Sequence, residues 1–521
     1  MTRAAHLGRA AVLVTLAALV AVPGLLVLIP IARDLTADGA LAGALLDPSE
    51  RRALWTSAWV ALVIALLASA CGWMLAGVLA RAGSFAGLML LPTLVPVYLA
   101  YAGWGQLRAP GTWLGDWLLE RASDGEHWWP ILAGRAIAVL GLALWASPIA
   151  GLVLAGGIRR RGQGFEESLA LDRAGPLARL TERLRFHLAD ALAAVAVVWV
   201  LMLGSAVPLH VAQVRTLSIE LWLAMVATPP GEWGRLWAGT WPLVLVAGVA
   251  AWWLGGVAIR AAERDADDGE RVRCGRSWHL SAWAVWSLAV LVPVVLAAIN
   301  LSGWSAFERL WRLDGTSILR SLARASVVAG AIALLACAAS VLLSSGSRAD
   351  RSLLRWFLRL AILLGLLPGF AIGASLSRWG LATTEAGPIL AQTARFAFIG
   401  LLAGVWACRS ESFERRAARR LETRGVLRAW AATVLPEQWR TLAGAGLVGL
   451  ALSVSEIEAT VFVEPPGVTG GSLAQKTLAH LHFARMDELN ATLLVVVALV
   501  AVPCVLAGLW IMRRRDPRDR N

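Results

Sequence analysis

The chain has 521 residues, of which 58% are hydrophobic and 16% charged, with a mean hydropathy of +0.65 and a formal net charge of +13. This is far more apolar surface than a water-soluble core needs, so the composition points to an integral membrane protein and away from a soluble globular fold. A charge of +13 would also suit nucleic acid, but the placement of the arginines decides against that partner.

About 20 apolar residues cross the hydrocarbon layer of a bilayer. Twelve such spans are predicted, near 10–32, 54–80, 84–106, 129–158, 189–213 and 237–260, then 280–302, 318–344, 354–377, 386–408, 441–463 and 490–512. Arg3 and Arg9 before the first span would also fit a secretory signal. Its apolar run is about twice the length of a signal core and no small-x-small site follows it closely, so a retained helix is expected. An even number of spans with the N-terminus inside places Arg159, Arg160, Arg161, Arg173, Arg179, Arg183 and Arg185 in one cytoplasmic loop. The same topology puts Arg409, Arg415, Arg416, Arg419, Arg420, Arg424, Arg428 and Arg440 in another, while the outer stretch 214–236 carries only Arg215 and Arg235. The excess charge is then the positive-inside signature of a multi-pass protein with both termini in the cytoplasm. Cys71, Cys274, Cys337, Cys408 and Cys504 share no metal-ligand spacing and are expected to be free thiols.

The charged stretch "RAAERDADDGERVRCGRSWH" divides the spans six and six. Six is even, so both halves enter the membrane with the same orientation, giving a parallel repeat about an axis along the membrane normal. The expected organisation is a first half at 1–260, a linker at 261–279, a second half at 280–513 and a basic tail at 514–521. An offset of 250 aligns Leu171 with Leu421, Asp172 with Glu422, Gly175 with Gly425, Leu177 with Leu427 and Ser205 with Ser455. Earlier in the halves the offset drifts, and Ser57 pairs with Ser321.

In each half the longest cytoplasmic connection, 159–188 or 409–440, joins the fourth and fifth spans. The first contains "FEESLALDRAGPLARLTERLRF" and the second "FERRAARRLETRGVLRAWAATVLP". Each places leucines at helical spacing, breaks at Gly175 or Gly425, and resumes as a basic helix. Two short helices meeting at a glycine form a knob with an apolar ridge, suited to a partner's groove. A single such loop would pass as a solvated basic connection; its recurrence at equivalent positions favours docking.

These loops resemble the coupling loops of bacterial ABC-importer permeases. Glu166, Glu167, Leu171, Asp172, Gly175 and Leu177 fall on the family pattern in the first loop. Ala418, Leu421, Glu422, Gly425, Leu427, Leu435 and Pro436 do so in the second, where Ala417 stands in the glutamate's place. The resemblance implies an all-α membrane protein of the type I importer permease fold, with about twelve transmembrane helices in two parallel six-helix halves. It also implies ABC ATPase subunits on the cytoplasmic side, which use the ATP, and an extracytoplasmic binding protein that delivers the solute. "ALSVSEIEATVFVEPPG" and "VAQVRTLSIELWL" are similar to segments of iron and oxyanion permeases, and together favour ferric iron. The bacterial cytoplasmic membrane is the implied location.

Glu456 and Glu458 lie in the eleventh expected span, where an ionised carboxylate is costly unless it faces protein, water or a cation. On a helix, residues two apart point in different directions, so at most one would line a translocation path. The alternative is that both sit near the outer interface beside Glu464. Arg135 and Arg395 are expected to snorkel to that interface. His480 and His482, at i and i+2, would share a strand face rather than a helix face, and no ligand set surrounds them.

A secondary transporter also uses six-plus-six repeats, but its charged signature between the second and third spans is here only about "ARAG". A permease relative that only anchors or regulates partners is the third possibility. No compact Ser-His-Asp, Cys-His or HExxH arrangement suggests an enzyme. The chain's only lysine, Lys476, sits in "GGSLAQKT", one glycine short of a phosphate-binding loop, with Gln475 in the glycine's place. The topology puts it outside the membrane, away from ATP, so no bound cofactor is expected.

Overall fold

The computed structural model describes residues 3–36, 40–81, 86–161, 175–263, 276–345, 347–409, 426–464, 471–483 and 485–513. It is 86% helix, with no strand among the described residues. Among the described residues eight helices are long and apolar enough to cross a membrane: Gly8–Leu35, Pro48–Ala80, Trp128–Arg159, Arg185–Leu203, Trp241–Arg260, Arg276–Ile299, Trp304–Ser344 and Ala386–Cys408. A helix satisfies its backbone hydrogen bonds internally, which is what the hydrocarbon layer demands. The protein is therefore an all-helical, multi-pass membrane protein.

Several of the predicted spans are not continuous helices; the fifth, expected at 189–213, ends its long helix at Leu203 and resumes only as Val207–Val211. The ninth, expected at 354–377, is the pair Arg348–Leu366 and Gly369–Ser377, bent by 100°. The third, expected at 84–106, is split into Ala86–Met89, Leu91–Leu94 and Val97–Gly105. Proline causes the break at Leu367 and the one at Val95, because it lacks a backbone donor and pushes the preceding residue into extended conformation. Leu367 (ψ 146°) precedes Pro368, and Val95 (ψ 138°) precedes Pro96. Pro96 (φ −52°, ψ 129°) and Pro368 (φ −52°, ψ 131°) then each start a nine-residue helix. The eleventh expected span is helical over Leu435–Val454 and ends short of 463, and the twelfth lies within the helix Met486–Arg513.

Two local features occur twice, at positions that the expected repeat pairs. The first and seventh expected spans each contain a five-residue π-helical turn, Ala17–Ala21 and Ser287–Leu291. Each is followed by Val-Pro, and Val22 and Val292 close the wide turn by donating to Ala17 O and Ser287 O. Pro23 and Pro293 cannot donate to the carbonyl behind them, and a widened turn accommodates that gap. The Oγ of Ser57 accepts from Leu217 N at 2.8 Å, and that of Ser321 from Leu473 N at 2.9 Å. Both hydroxyls are buried, and each holds a helix start against the second span of its half.

The chain forms two compact units that do not coincide with the sequence halves. One comprises Met1–Arg51, Ser218–Asp267 and Asp314–Lys476; the other comprises Arg52–Leu217, Asp268–Leu313 and Thr477–Asn521. Each unit thus takes the middle spans of one half and the first and last spans of the other. In the first unit, Leu16 and Val20 share a core with Ile259, Ile332, Leu335, Leu358 and Leu401. Arg9 also donates to Asp350 at 2.6 Å. In the second, Trp286 Nε1 donates to Leu88 O at 2.9 Å, and Arg309 pairs with Asp487 at 2.7 Å.

This interleaving has a testable consequence. Fragments 1–267 and 268–521 expressed separately are each expected to leave apolar faces uncovered and to aggregate on extraction, whereas co-expressed fragments copurify as one species. A lone second fragment that is monodisperse and melts like the intact chain would contradict the interleaved cores.

Candidate functional site

On the expected coupling segments, Gly175 precedes the helix Pro176–Leu203, with Pro176 at a position where its missing donor costs nothing. Gly175 is exposed, its backbone is extended (φ −61°, ψ 163°), and an added Cβ would meet nothing within 4 Å. Leu177 lies in that helix. Glu166, Glu167, Leu171, Asp172, Ala418, Leu421, Glu422 and Gly425 lie outside the described residues. In the second half Leu427 belongs to Val426–Thr433, and Leu435-Pro436 start the helix Leu435–Val454. Val426–Thr433 is fastened to its unit: Trp430 is buried and donates to Ser340 Oγ at 2.9 Å, and the Leu427 side chain covers the Cα of Gly8.

Deeper in the same unit, Glu456, Glu458 and Arg395 form a buried ionic site. The helix ends at Val454, so residues 455–464 are turns, and the helical rule that separates side chains two apart does not apply to them. Glu456 and Glu458 therefore converge. Arg395 reaches Glu456 Oε1 at 3.1 Å through one nitrogen and donates to Glu458 Oε2 at 3.0 Å through the other. Glu456 Oε1 also accepts from Ala459 N at 2.8 Å, which fixes the turn. Glu456 is 8% and Glu458 6% exposed, so neither reaches the interface, and Arg395 is their counter-ion rather than a snorkelling side chain. Arg135, by contrast, is exposed.

The Pro368 break completes the site. Gly369 opens the second half of the bent pair, and a Cβ there would overlap the Arg395 guanidinium and lie 2.5 Å from Glu458 Cβ. Four devices, the proline break, the glycine, the guanidinium and the carboxylate turn, thus occupy one small volume. Removing both charge signs from water is costly, and mutual pairing with backbone hydrogen bonds offsets that cost. The signal that could have found Arg395 was two unmatched acids in one apolar segment and one unmatched base in the segment before it.

A second cluster was not predicted. Arg324 donates to Glu385 at 2.5 Å and to Glu464 at 2.6 Å, with the guanidinium and Glu464 almost wholly buried. The hydrogen bond from Arg324 holds the Glu385 carboxyl below its usual range. A depressed carboxylate contributes stability that is present above its unfolded pKa and lost as pH falls through the lower folded value. Glu385→Gln is therefore expected to lower the melting temperature at neutral pH, with the difference from wild type shrinking once the pH drops below the ordinary carboxylate range. A difference that stays constant down to acid would rule out the ionic origin.

The near-match to a phosphate loop is helical: Lys476 lies in Leu473–His482, its amide donates to Ser472 O at 3.0 Å, and its ammonium is 3.9 Å from Asp314. The amides of Leu473 and Gln475 are likewise taken up, by Ser321 Oγ and Ser472 Oγ, rather than turned together toward a phosphate. His480 and His482 share this helix rather than a strand. Among the described residues no group of His, Cys, Asp and Glu could hold a metal ion, and Cys71, Cys337 and Cys408 are not in disulfides, the Cys408 thiol donating to Ser340 O at 3.1 Å. No protein-family model, no curated protein and no solved structure matches the chain.

Proposed function

We propose that the chain is the membrane-spanning permease subunit of an ATP-binding-cassette importer in a bacterial cytoplasmic membrane. Twelve spans in two parallel sixes would form the path, with both termini in the cytoplasm. Separate ATPase subunits would grip the segments around Gly175 and Gly425, and an extracytoplasmic binding protein would deliver the solute, ferric iron being favoured by the resemblance. The observation that carries this reading is the glycine-led segment between the fourth and fifth spans of each half.

The helix after Gly175 runs without interruption into a span, and Val426–Thr433 abuts Leu435–Val454. A partner pulling on either segment would therefore move a membrane helix directly. ATP binding would act by stabilising one arrangement of those helices over the other. Glu456 and Glu458 enter as residues of the path region that share Arg395 as counter-ion, so they would shape the path more than hold a bare cation. The test is affinity purification of the tagged chain from its native membrane. An ATPase subunit and a solute-binding protein should copurify, and ATP hydrolysis should rise when the loaded binding protein is added. Repeated recovery of the chain without any ATPase sinks the proposal.

A further inference from the structure

Outside these sites, three arginines of the first unit converge with no acid among them. Arg355 and Arg359 stand one turn apart on Arg348–Leu366, and Arg260 ends the span Trp241–Arg260 packed against it. The charges that bear on Arg359 are those of Arg355 and Arg260, both cations. No carboxylate among the described residues pairs with any of the three. The Nε donors of Arg355 and Arg359 are buried without an acceptor. Unmatched buried donors and clustered like charges are each unfavourable in an isolated protein, so the arrangement calls for an anion.

The surroundings specify which anion. Gly255 and Gly256 leave a floor without side chains: a Cβ on Gly255 would press on Arg359, and one on Gly256 would lie 3.7 Å from an Arg260 nitrogen and 3.9 Å from an Arg359 nitrogen. Both guanidinium tips thus hang over one spot at the end of a span. Trp252 lies 3.5 Å under Arg359, with Trp356 at 5.2 Å, and both indoles are more than half exposed on the apolar exterior. Cationic donors at the end of a span, beside exposed indoles, match a ligand with a phosphate head and acyl chains.

We propose that Arg260, Arg355 and Arg359 bind the phosphodiester headgroup of an anionic phospholipid, whose chains lie along Trp252 and Trp356. Assignment of the site to the cytoplasmic leaflet rests on the orientation proposed above; the binding itself does not. The full-length chain is placed in phosphatidylcholine nanodiscs with or without phosphatidylglycerol, and its melting temperature is measured together with the lipid retained on extraction, by native mass spectrometry. Phosphatidylglycerol should raise the wild-type melting temperature and remain bound. Arg355→Gln with Arg359→Gln should lose both effects while melting no lower in phosphatidylcholine alone. Gly256→Leu, which fills the floor and keeps every charge, should lose retention as well, and Arg348→Gln at an exposed position of the same helix should not. Equal retention by wild type and both site variants overturns the proposal. So does a stabilisation reproduced by inorganic phosphate without lipid, or lipid binding that appears only after the acids of 263–270 are neutralised. None of these readouts needs an ATPase, so their failure would leave the transport reading untouched, and the converse holds.

Discussion

Arg395→Met is expected to destabilise the first unit by about 3–5 kcal/mol, the usual cost of removing one partner from a buried ion pair. The side chain holds two carboxylates, Glu456 at 3.1 Å and Glu458 at 3.0 Å. Without it, Glu456 and Glu458 must protonate or admit water, and the turn at 455–464 loses its fastening to the helix Ala386–Arg409. Arg395→Lys should recover only part of the loss, because an ammonium cannot present two forked donors to two acids. The triple change Arg395→Met, Glu456→Gln, Glu458→Gln should be milder than Arg395→Met alone, since exchanging a whole buried ionic group for neutral residues is often tolerated. Gly369→Val should behave like Arg395→Met, because its side chain would occupy the guanidinium's place. Thermal melting of detergent-purified variants orders these four. A triple variant that melts below the single one would show that the charges matter for more than one another's company.

Most of the membrane architecture was legible because it depends on hydropathy and length, and the eight long helices fall where the apolar runs predict them. The broken spans were less legible. Pro92, Pro96 and Pro368 lie inside runs apolar enough to span, and whether a proline bends or divides a helix depends on what packs into the gap, here a glycine against Arg395. The composition of the units was not legible at all. A repeat in sequence records which segments correspond, whereas packing decides which segments touch, and the first and last spans of each half carry the same apolar signal whichever neighbours they find. The ionic site was half legible. Both acids stood out as costly, but their convergence required knowing that the helix stops at Val454. The arginine cluster at 260, 355 and 359 was invisible because its members lie some 95 residues apart or more between elements, joined only when Trp241–Arg260 packs beside Arg348–Leu366.

Gly175→Trp is expected to separate folding from coupling. Glycine is not required there by backbone or by space: φ is −61°, and a Cβ would touch nothing within 4 Å. The substitution should therefore leave the melting temperature of the isolated chain nearly unchanged, as for exposed sites in general, within about 0.5 kcal/mol. If a partner's groove closes over this point, a large side chain overpacks the contact, at a cost of about 1–3 kcal/mol. That corresponds to roughly tenfold to hundredfold weaker ATPase binding, read by copurification yield and by ATP hydrolysis stimulated through the transporter. Gly8→Leu gives the opposite pattern, because its side chain would drive into Leu427 and loosen Val426–Thr433 from its own unit. Its melting temperature should fall before any partner is added. A Gly175→Trp chain that retains full ATPase binding and uptake would show that no partner surface lies over the start of Pro176–Leu203, and the coupling role of the first loop would fall with it.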